Sequence, residues 1–221
     1  MSFSIPRCVL FDLDGTLLDS LPGIVHSVNH ACREVGLPKP EEDFRTLLGP
    51  PIRKIFAKVV CTENAEQLDR LEAVFRLHYD AEGWRKTRCF AGARETLELL
   101  KGSGRRLFVA SNKPIHISLE ILENESLLPL FETIYTRDSR QPPYTSKTEM
   151  VGDLLNVHSV RCSECLLVGD TMEDIQAAMG NGIDAVLMEH GYGEVSPDVP
   201  VRYRVRNFAE FLDCAEMGVS S

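Results

Sequence analysis

Two carboxylates stand two residues apart, at Asp12 and Asp14, directly after the apolar run Cys8-Val9-Leu10. Because side chains alternate between the faces of a strand, both carboxylates can project toward one point where a buried strand ends, and Gly15 lets the chain turn there. Two like charges this close repel each other, so a metal ion, a shared proton or a positive substrate group must offset the cost. The alternative is a solvated, Asp-rich turn.

A second acidic pair, Asp170 and Asp174, follows the apolar run Cys165–Val168. Asp174 lies one helical turn beyond Asp170, so both carboxylates can face one point. Hard oxygen ligands in this arrangement suit Mg²⁺. An acidic first turn, which the helix dipole favours, is the alternative, but it does not explain Asp170 beside Gly169 at the end of an apolar strand.

Two further segments offer groups that could hold an anion. Ser111 and Asn112 follow the apolar run Arg106–Ala110, and a hydroxyl beside free backbone N–H groups can hold a phosphate oxygen or, equally, cap a helix. Lys147 lies at the start of a predicted helix, where a cation is mildly unfavourable. An anionic ligand would explain this lysine, and a solvated side chain is the alternative.

The elements that must position these residues alternate between strand and helix. Apolar runs predict strands at 8–11, 106–111, 133–136, 165–168 and 184–188, with an edge strand at 201–205. Helical patterns lie between them, at 92–101, 114–124, 146–156, 171–180 and 207–217. This alternation predicts an α/β fold with a mostly parallel sheet in three αβα layers.

The segment 18–87 is different, because only helical patterns occur in it, at 21–35, 41–48, 52–60 and 65–79. We therefore predict a discontinuous α/β core, residues 1–17 and 88–221, with an all-helical cap domain at 18–87. The hinges of such a cap would lie near Leu17–Asp19 and Trp84–Cys89. The alternative is that these helices pack on the sheet as an extra layer.

Composition limits the classes of partner. The chain has 221 residues and a formal net charge of −9, which argues against a nucleic-acid-binding surface. No apolar run approaches the ~20 residues that span a membrane, and residues 1–7 lack a signal-peptide pattern. We expect a cytoplasmic protein with reduced cysteines. Cys162 and Cys165 form a lone CxxC without two further zinc ligands.

The motifs taken in order, Asp12-Leu-Asp14-Gly-Thr, Ser111-Asn112, Lys147 and Gly169-Asp170-Thr-x-x-Asp174, resemble the phosphatases of the haloacid dehalogenase superfamily. The resemblance covers nearly the whole chain and implies a Rossmann-like core with an inserted helical cap. Leu48-Gly49-Pro50-Pro51 and Gly191-Tyr192-Gly193 look like the phosphoglycolate-phosphatase-like branch, which also includes nucleotidase-like and pyrophosphatase-like members.

The resemblance also implies roles for these residues. Asp12 would be the nucleophile that forms an aspartyl-phosphate, and Asp14 the general acid and base. Mg²⁺ would be held by Asp12, the backbone carbonyl of Asp14, and Asp170, with Asp174 supporting that shell. Ser111 and Lys147, with the backbone amides of Leu13, Asp14 and Asn112, would hold the phosphoryl oxygens.

This chain departs from the family at one position: Lys147 is followed by Thr148, where many relatives have proline. Lys113, Arg137 and Arg140 are therefore alternative cations. Arg53, in the cap, is a candidate for contacting the leaving group, or else a surface arginine.

The implied function is Mg²⁺-dependent hydrolysis of a small phosphorylated metabolite, phosphoglycolate-like, by a monomer or homodimer. The alternatives are a 5′-nucleotidase, a pyrophosphatase or a phosphosugar mutase. Relatives that cleave carbon–halogen bonds do without the second aspartate, so Asp14 favours phosphoryl chemistry. Thr16, where mutases usually have valine, favours a hydrolase.

Overall fold

The computed structural model describes residues 3–40, 43–47, 52–199 and 201–216. The chain forms two compact units. One, called here the sheet unit, comprises Met1–Leu18 and Cys89–Ser221, and the other, the helical unit, comprises Asp19–Arg88.

The two units together contain ten strands and eight α-helices in the described residues. Within the described residues the strands are β1 (Phe3–Ser4), β2 (Cys8–Phe11), β3 (Leu18–Asp19), β4 (Arg88–Cys89), β5 (Arg106–Ser111), β6 (Thr133–Thr136), β7 (Cys165–Gly169), β8 (Asp184–Met188), β9 (Tyr203–Val205) and β10 (Ala215–Glu216). The α-helices are α1 (Leu21–Glu34), α2 (Ile52–Val59), α3 (Ala65–Ala81), α4 (Ala93–Gly102), α5 (Ile115–Asn124), α6 (Lys147–Val157), α7 (Met172–Gly180) and α8 (Phe208–Cys214).

Six strands form one parallel sheet in the order β6-β5-β2-β7-β8-β9. The central strand, β2, pairs with β5 on one side and β7 on the other, so that Phe11 lies opposite Val109 and Val168. All four residues of β2 are apolar and buried, as expected for a parallel strand with both faces covered. The carboxyl ends of β2, β5 and β7 therefore meet at one edge of the sheet.

Helices cover both faces of this sheet. Cys8 and Leu10 of β2 share an apolar cluster with Leu154 of α6 and Ile175 of α7. The intervening residues of β2 point to the opposite face, and α4, which packs against β5 and α8, contributes further buried leucines outside that cluster. The predicted α/β fold with a parallel sheet is confirmed.

Helices α1, α2 and α3 make up most of the helical unit, and α3 packs along both of the others. Phe75 of α3 meets the ring of Phe56 edge-on, with centroids 6.1 Å apart. Gly23 of α1 lies against the backbone of Gly83, since a Cβ at Gly23 would be 2.4 Å from the Gly83 carbonyl oxygen. This contact requires the absence of a side chain and brings α1 close to the end of α3.

Two predicted helices differ from the structure. Of the predicted helix 41–48, the described residues 43–47 contain only a 3₁₀ turn, Phe44–Thr46, in which the Asp43 carboxylate accepts a hydrogen bond from Arg45 N. Such a local side-chain bond competes with helix formation. The last helix stops at Cys214 rather than 217, because Ala215 and Glu216 pair with β1.

For the other predicted elements, helix and strand ends agree with the prediction to within about two residues, whereas the two-residue strands β1, β3 and β4 are not among the predicted strands. None of the helices in the described part of the chain combines the length and apolar character needed to cross a bilayer.

Candidate active site

Polar residues at the carboxyl ends of three adjacent strands lie at one edge of the sheet. Asp12 comes directly after β2, Ser111 ends β5, and Asp170 comes directly after β7. The backbone amide of Asp12 continues the ladder by donating to the Val168 carbonyl at 2.9 Å. Ligand sites in open parallel sheets lie at this edge, beyond the carboxyl ends of the strands.

The carboxylates of Asp12, Asp170 and Asp174 form a buried cluster. All three side chains are buried, and one oxygen from each lies within 4.8 Å of the others. Burial raises the pKa of Asp12 to about 6, against the opposing effects of Lys147 and of a hydrogen bond from Ser111. Burial, followed by the charges of Asp174 and Asp12, raises the pKa of Asp170 to about 7. The cluster is therefore short of positive charge.

Lys147 lies inside this cluster with only 4% of its surface exposed. Its Nζ is 3.0 Å from Asp12 Oδ1 and 2.5 Å from Asp174 Oδ1. Burial opposes the charge of the ammonium, but the two carboxylates outweigh it and raise the pKa of Lys147. A solvated lysine does not fit this position.

The alternative cations have other partners. Arg140 pairs with Glu149 and lies over the ring of Tyr144, while Arg137 donates to the backbone carbonyl oxygens of Tyr144 and Thr145. Lys113, which sequence reasoning treated only as an alternative phosphate ligand, donates to both carboxylate oxygens of Asp14 at 3.1 Å. The Lys113 side chain is almost completely buried, and that of Asp14 is 31% exposed.

The interaction between Lys113 and Asp14 is a feature of the site that the sequence reasoning missed. Its only signal in the sequence is the position of Lys113, two residues after Ser111 at the same edge of the sheet. Asp14 therefore pairs with Lys113, whereas Asp12 pairs with Lys147.

Hydrogen bonds occupy both oxygens of Asp170. Thr16 Oγ1 donates to Oδ1 at 2.9 Å, and the backbone amides of Tyr192 and Gly193 donate to Oδ2 at 2.8 and 3.2 Å. The motif Gly191-Tyr192-Gly193, identified above only through the family resemblance, therefore orients an aspartate of the site. Thr16, considered above only for reaction class, has the same effect.

Glycines make room for Asp170. A Cβ at Gly15 would lie 2.2 Å from Asp170 Oδ2, and one at Gly191 would lie 2.2 Å from Asp170 Cβ. Gly15 also has φ +82°, a conformation that residues with a side chain rarely adopt. The turn after Asp14 must therefore be a glycine for both its backbone angle and its closeness to Asp170.

Asp174 lies both in the first turn of α7 and in the carboxylate cluster. Its Oδ2 accepts hydrogen bonds from the backbone amide and hydroxyl of Thr171, at 2.9 and 2.7 Å, which forms a capping box at the start of α7. Its Oδ1 faces Lys147. A Cβ at Gly169 would lie 2.2 Å from Asp174 Cγ, so this glycine also accommodates a carboxylate of the cluster.

Neither the Ser111 nor the Asn112 side chain caps the helix that follows β5. Helix α5 has Pro114 at its N-cap without a side-chain cap bond, and the amide of Ile115 donates instead to Asp138 Oδ1 at 3.0 Å. Ser111 is buried beside Asp12, and Asn112 Nδ2 donates to Glu173 Oε2 at 2.5 Å. The Ser111 hydroxyl therefore faces the carboxylate cluster rather than the end of a helix.

Arg53 belongs to the helical unit, on α2. Its guanidinium pairs with Asp69, lies 3.7 Å from Glu72 and donates to the Ala65 carbonyl at 3.3 Å. Its contact with a leaving group stays a prediction, and the adjoining motif 48–51 lies outside the described residues.

In the described part of the chain, no cysteine belongs to a group that could hold a metal ion.

Comparison with known proteins places the chain in a family. The family model for haloacid dehalogenase-like hydrolases matches residues 9–188. The tyrosine-protein kinase PtkA of Mycobacterium tuberculosis is 34% identical over 189 residues, which are 85% of this chain and 64% of the kinase. The chain thus spans less than two thirds of that relative's length. A 5′-nucleotidase of Pseudomonas aeruginosa is 31% identical, over 88% of this chain and 89% of the nucleotidase.

Solved structures agree. A structure from Haemophilus somnus, described as a predicted phosphoglycolate phosphatase, superimposes with a TM-score of 0.83 at 26% identity, covering 96% of this chain and 99% of the other. Phosphoglycolate phosphatases also occur among the sequence relatives. The chain belongs to the haloacid dehalogenase-like hydrolases. The resemblance to their phosphoglycolate-phosphatase-like branch is confirmed.

Proposed function

We propose that this chain is a Mg²⁺-dependent phosphatase that hydrolyses a small phosphomonoester through an aspartyl-phosphate on Asp12. The observation that carries the proposal is the position of Asp12: its carboxylate is buried 3.0 Å from the ammonium of Lys147 and within 4.8 Å of Asp170 and Asp174. Three carboxylates surround the single charge of Lys147 here. A phosphate anion can therefore approach Asp12 only if a further positive charge, such as a metal ion, is bound.

The residues present fit a divalent metal ion. Three buried carboxylates face one ammonium, and the buried Oδ1 atoms of Asp12 and Asp174 accept no hydrogen bond of good geometry, although Lys147 lies beside both. Oxygen-only ligands of this kind suit Mg²⁺, which would be held by Asp12, the Asp14 carbonyl and Asp170, with Asp174 in support. When bound, the ion would screen a phosphate dianion from the carboxylates and polarise the phosphoryl group.

The chemical steps assigned to this chain use Asp12 and Asp14. A carboxylate oxygen of Asp12 attacks phosphorus, the bond from phosphorus to the leaving oxygen breaks, and Asp14 donates its proton to that oxygen. A water molecule then attacks the aspartyl-phosphate and gives a proton to Asp14. Inorganic phosphate leaves and the Asp12 carboxylate is restored. The neighbouring ammonium of Lys113 would hold Asp14 in position for both proton transfers.

The remaining groups would bind the transferring phosphoryl oxygens. Lys147 supplies a buried positive charge, and the Ser111 hydroxyl, with the amides of Leu13, Asp14 and Asn112, supplies hydrogen bonds. Donors fixed before the reaction stabilise the charge that develops in the transition state.

The direct test is an Asp12→Asn variant assayed with Mg²⁺ on a panel of phosphate esters. We expect phosphate release to fall below a few per cent of wild type while the circular dichroism spectrum and Tm stay close to those of wild type. The matched control is Asp213→Asn, an exposed aspartate on α8, which should retain full activity. Substantial Mg²⁺-dependent activity in Asp12→Asn would rule out Asp12 as the nucleophile.

We propose phosphoglycolate-like esters as the substrate class, with the helical unit acting as the cap that selects the leaving group. Support comes from the phosphoglycolate phosphatases among relatives and structural neighbours. The 31% identity to a 5′-nucleotidase favours nucleoside 5′-monophosphates as the second candidate class. Ranking kcat/KM over both classes decides between them, and pyrophosphate and sugar phosphates belong in the same panel.

The kinase relative motivates one further arm of the assay. The protein is incubated with ATP and a tyrosine-containing peptide, and transfer of label to the peptide is measured beside release of free phosphate. The proposed phosphatase releases phosphate from its ester substrates and leaves the peptide unlabelled. Stoichiometric labelling of the peptide would favour a phosphotransferase instead.

A further inference from the structure

The helical unit contains a group of metal-binding side chains unrelated to the carboxylate cluster. His26 lies on α1, and His78 and Glu82 lie one helical turn apart at the end of α3. One ligand atom from each of these three residues lies within 4.8 Å of the others. The three residues, called here the histidine group, therefore converge from two helices on one small volume.

His78 is the fixed member of the histidine group. Its side chain is only 7% exposed, its Nδ1 is 2.9 Å from Ser27 Oγ, and its Nε2 is 2.7 Å from Glu82 Oε1. Gly83 permits this arrangement, because a Cβ there would lie 2.2 Å from Ser27 Oγ. Burial, with His30 and His26 nearby, lowers the pKa of His78, so the neutral imidazole that binds metals is favoured.

We propose that His26, His78 and Glu82 form a site for a divalent transition-metal ion of the zinc type. Two imidazoles and one carboxylate are a common zinc ligand set, and a water molecule would take the fourth position. Mg²⁺ prefers oxygen ligands, so this site and the carboxylate cluster would select different ions.

Ser27 would complete the site as the hydrogen-bond partner of a ligand. Without metal, neutral His78 can carry its proton on Nε2, donate to Glu82 and accept at Nδ1 from the Ser27 hydroxyl. With metal on Nε2, the proton moves to Nδ1 and Ser27 becomes the acceptor, so no net proton is lost from neutral His78. Metal-bound histidines commonly donate their second N–H to such a partner.

The neighbouring His30 is not assigned as a ligand. Its ring stacks on His78 with centroids 3.9 Å apart, and its Nδ1 is 3.0 Å from Arg33 Nη2. A metal bound by the histidine group would join α1 to α3, and we expect it to stabilise the folded protein increasingly as the free metal concentration rises above Kd.

The test is calorimetric titration of the full chain with Zn²⁺, in a non-thiol reductant and with saturating Mg²⁺ to occupy the carboxylate cluster. We expect a site in the wild type that His26→Ala and Glu82→Gln each weaken at least tenfold. Both residues are exposed, so these variants should fold. Ser27→Ala should weaken the site by about tenfold, as loss of a ligand's hydrogen-bond partner does elsewhere.

The matched control is His116→Ala, an exposed histidine of the sheet unit, which should bind Zn²⁺ like the wild type. Co²⁺ gives a second readout: the visible spectrum of nitrogen-ligated Co²⁺ should appear in the wild type and in His116→Ala and be absent in His26→Ala. Equal Zn²⁺ stoichiometry and affinity in wild type, His26→Ala and Glu82→Gln would overturn the proposal, because any binding would then lie at cysteines or catalytic carboxylates.

Discussion

The ammonium nitrogen of Lys147 lies 3.0 Å from Asp12 Oδ1, and both side chains are buried. Helix α6 delivers this lysine from its first residue, with the hydroxyl of Ser146 capping the helix by accepting from the amide of Glu149. A buried ion pair contributes little net stability when intact, but it is costly to break from one side. This lysine therefore offers a test of both stability and function.

Replacing Lys147 with methionine keeps the length of the side chain and removes its charge. We expect kcat/KM to fall by at least about 100-fold, because one preorganised charge on the phosphoryl oxygens is lost. The free energy of unfolding should also fall by about 3 kcal/mol or more, because buried carboxylates lose their counter-ion. Steady-state kinetics and denaturant titration measure the two effects.

Lys101→Met is the control for the lysine substitution, because Lys101 is exposed at the end of α4. It should change neither kcat/KM nor the free energy of unfolding measurably. A Lys147→Met enzyme with near wild-type kcat/KM would show that this lysine is a structural counter-ion and does not bind substrate.

Lys113→Met tests whether Lys113 positions Asp14 for proton transfer. We expect kcat/KM, which reports the steps up to departure of the leaving group, to fall by about 100-fold on an alkyl phosphate, whose leaving alkoxide needs a proton. The loss should be much smaller on p-nitrophenyl phosphate, whose leaving group needs little acid assistance. The ratio of the two losses separates positioning of the acid from general damage to the site.

A double-mutant cycle strengthens this test. If Lys113 acts through Asp14, then Lys113→Met should add little to the loss already caused by Asp14→Asn. Multiplicative losses, or an equal loss on both substrates for Lys113→Met alone, would mean that Lys113 contributes through phosphate binding instead.

Much of this fold could be predicted from the sequence because its strands are continuous apolar runs that end in polar motifs. The run before Asp12 and the run before Asp170 predict buried strands of a parallel sheet, and in the structure these two strands are neighbours. The spacing of Asp170 and Asp174 predicts that both face one point, and both lie in the carboxylate cluster. These predictions depend only on strand and helix periodicity.

The contacts of Lys113 and Thr16 could not be predicted in the same way. Lys113 reaches Asp14 across 99 residues of sequence, and Thr16 reaches Asp170 across 154 residues. Periodicity places a residue on a face of its own element, but it does not say which distant residue that face meets. The early end of α8 has a similar cause, since pairing with β1 decides it.

Mg²⁺ should stabilise the folded protein through the carboxylate cluster. The three buried carboxylates repel each other, and an ion bound only by the native state raises its stability by about 2.7 kcal/mol at 100 times Kd. We expect Tm to rise with Mg²⁺ concentration in the wild type and to respond far less in Asp170→Asn. EDTA should abolish phosphatase activity, and Mg²⁺ should restore it. A Tm independent of Mg²⁺ would contradict binding at this cluster.

Gly15→Ala should damage the site through two effects that a second glycine separates. Gly15 and Gly182 both have positive φ, +82° and +63°, but a Cβ at Gly182 meets nothing within 4 Å, whereas at Gly15 it would lie 2.2 Å from Asp170 Oδ2. Gly182→Ala should therefore lower the free energy of unfolding by only the cost of a left-handed backbone conformation, about 1–2 kcal/mol, and should keep its activity. Gly15→Ala should lose more stability, and its activity at limiting Mg²⁺ should fall at least tenfold, because Asp170 must move. Equal effects of the two variants in denaturant titration and in Mg²⁺-dependent kinetics would mean that the contact between Gly15 and Asp170 does not position the carboxylate.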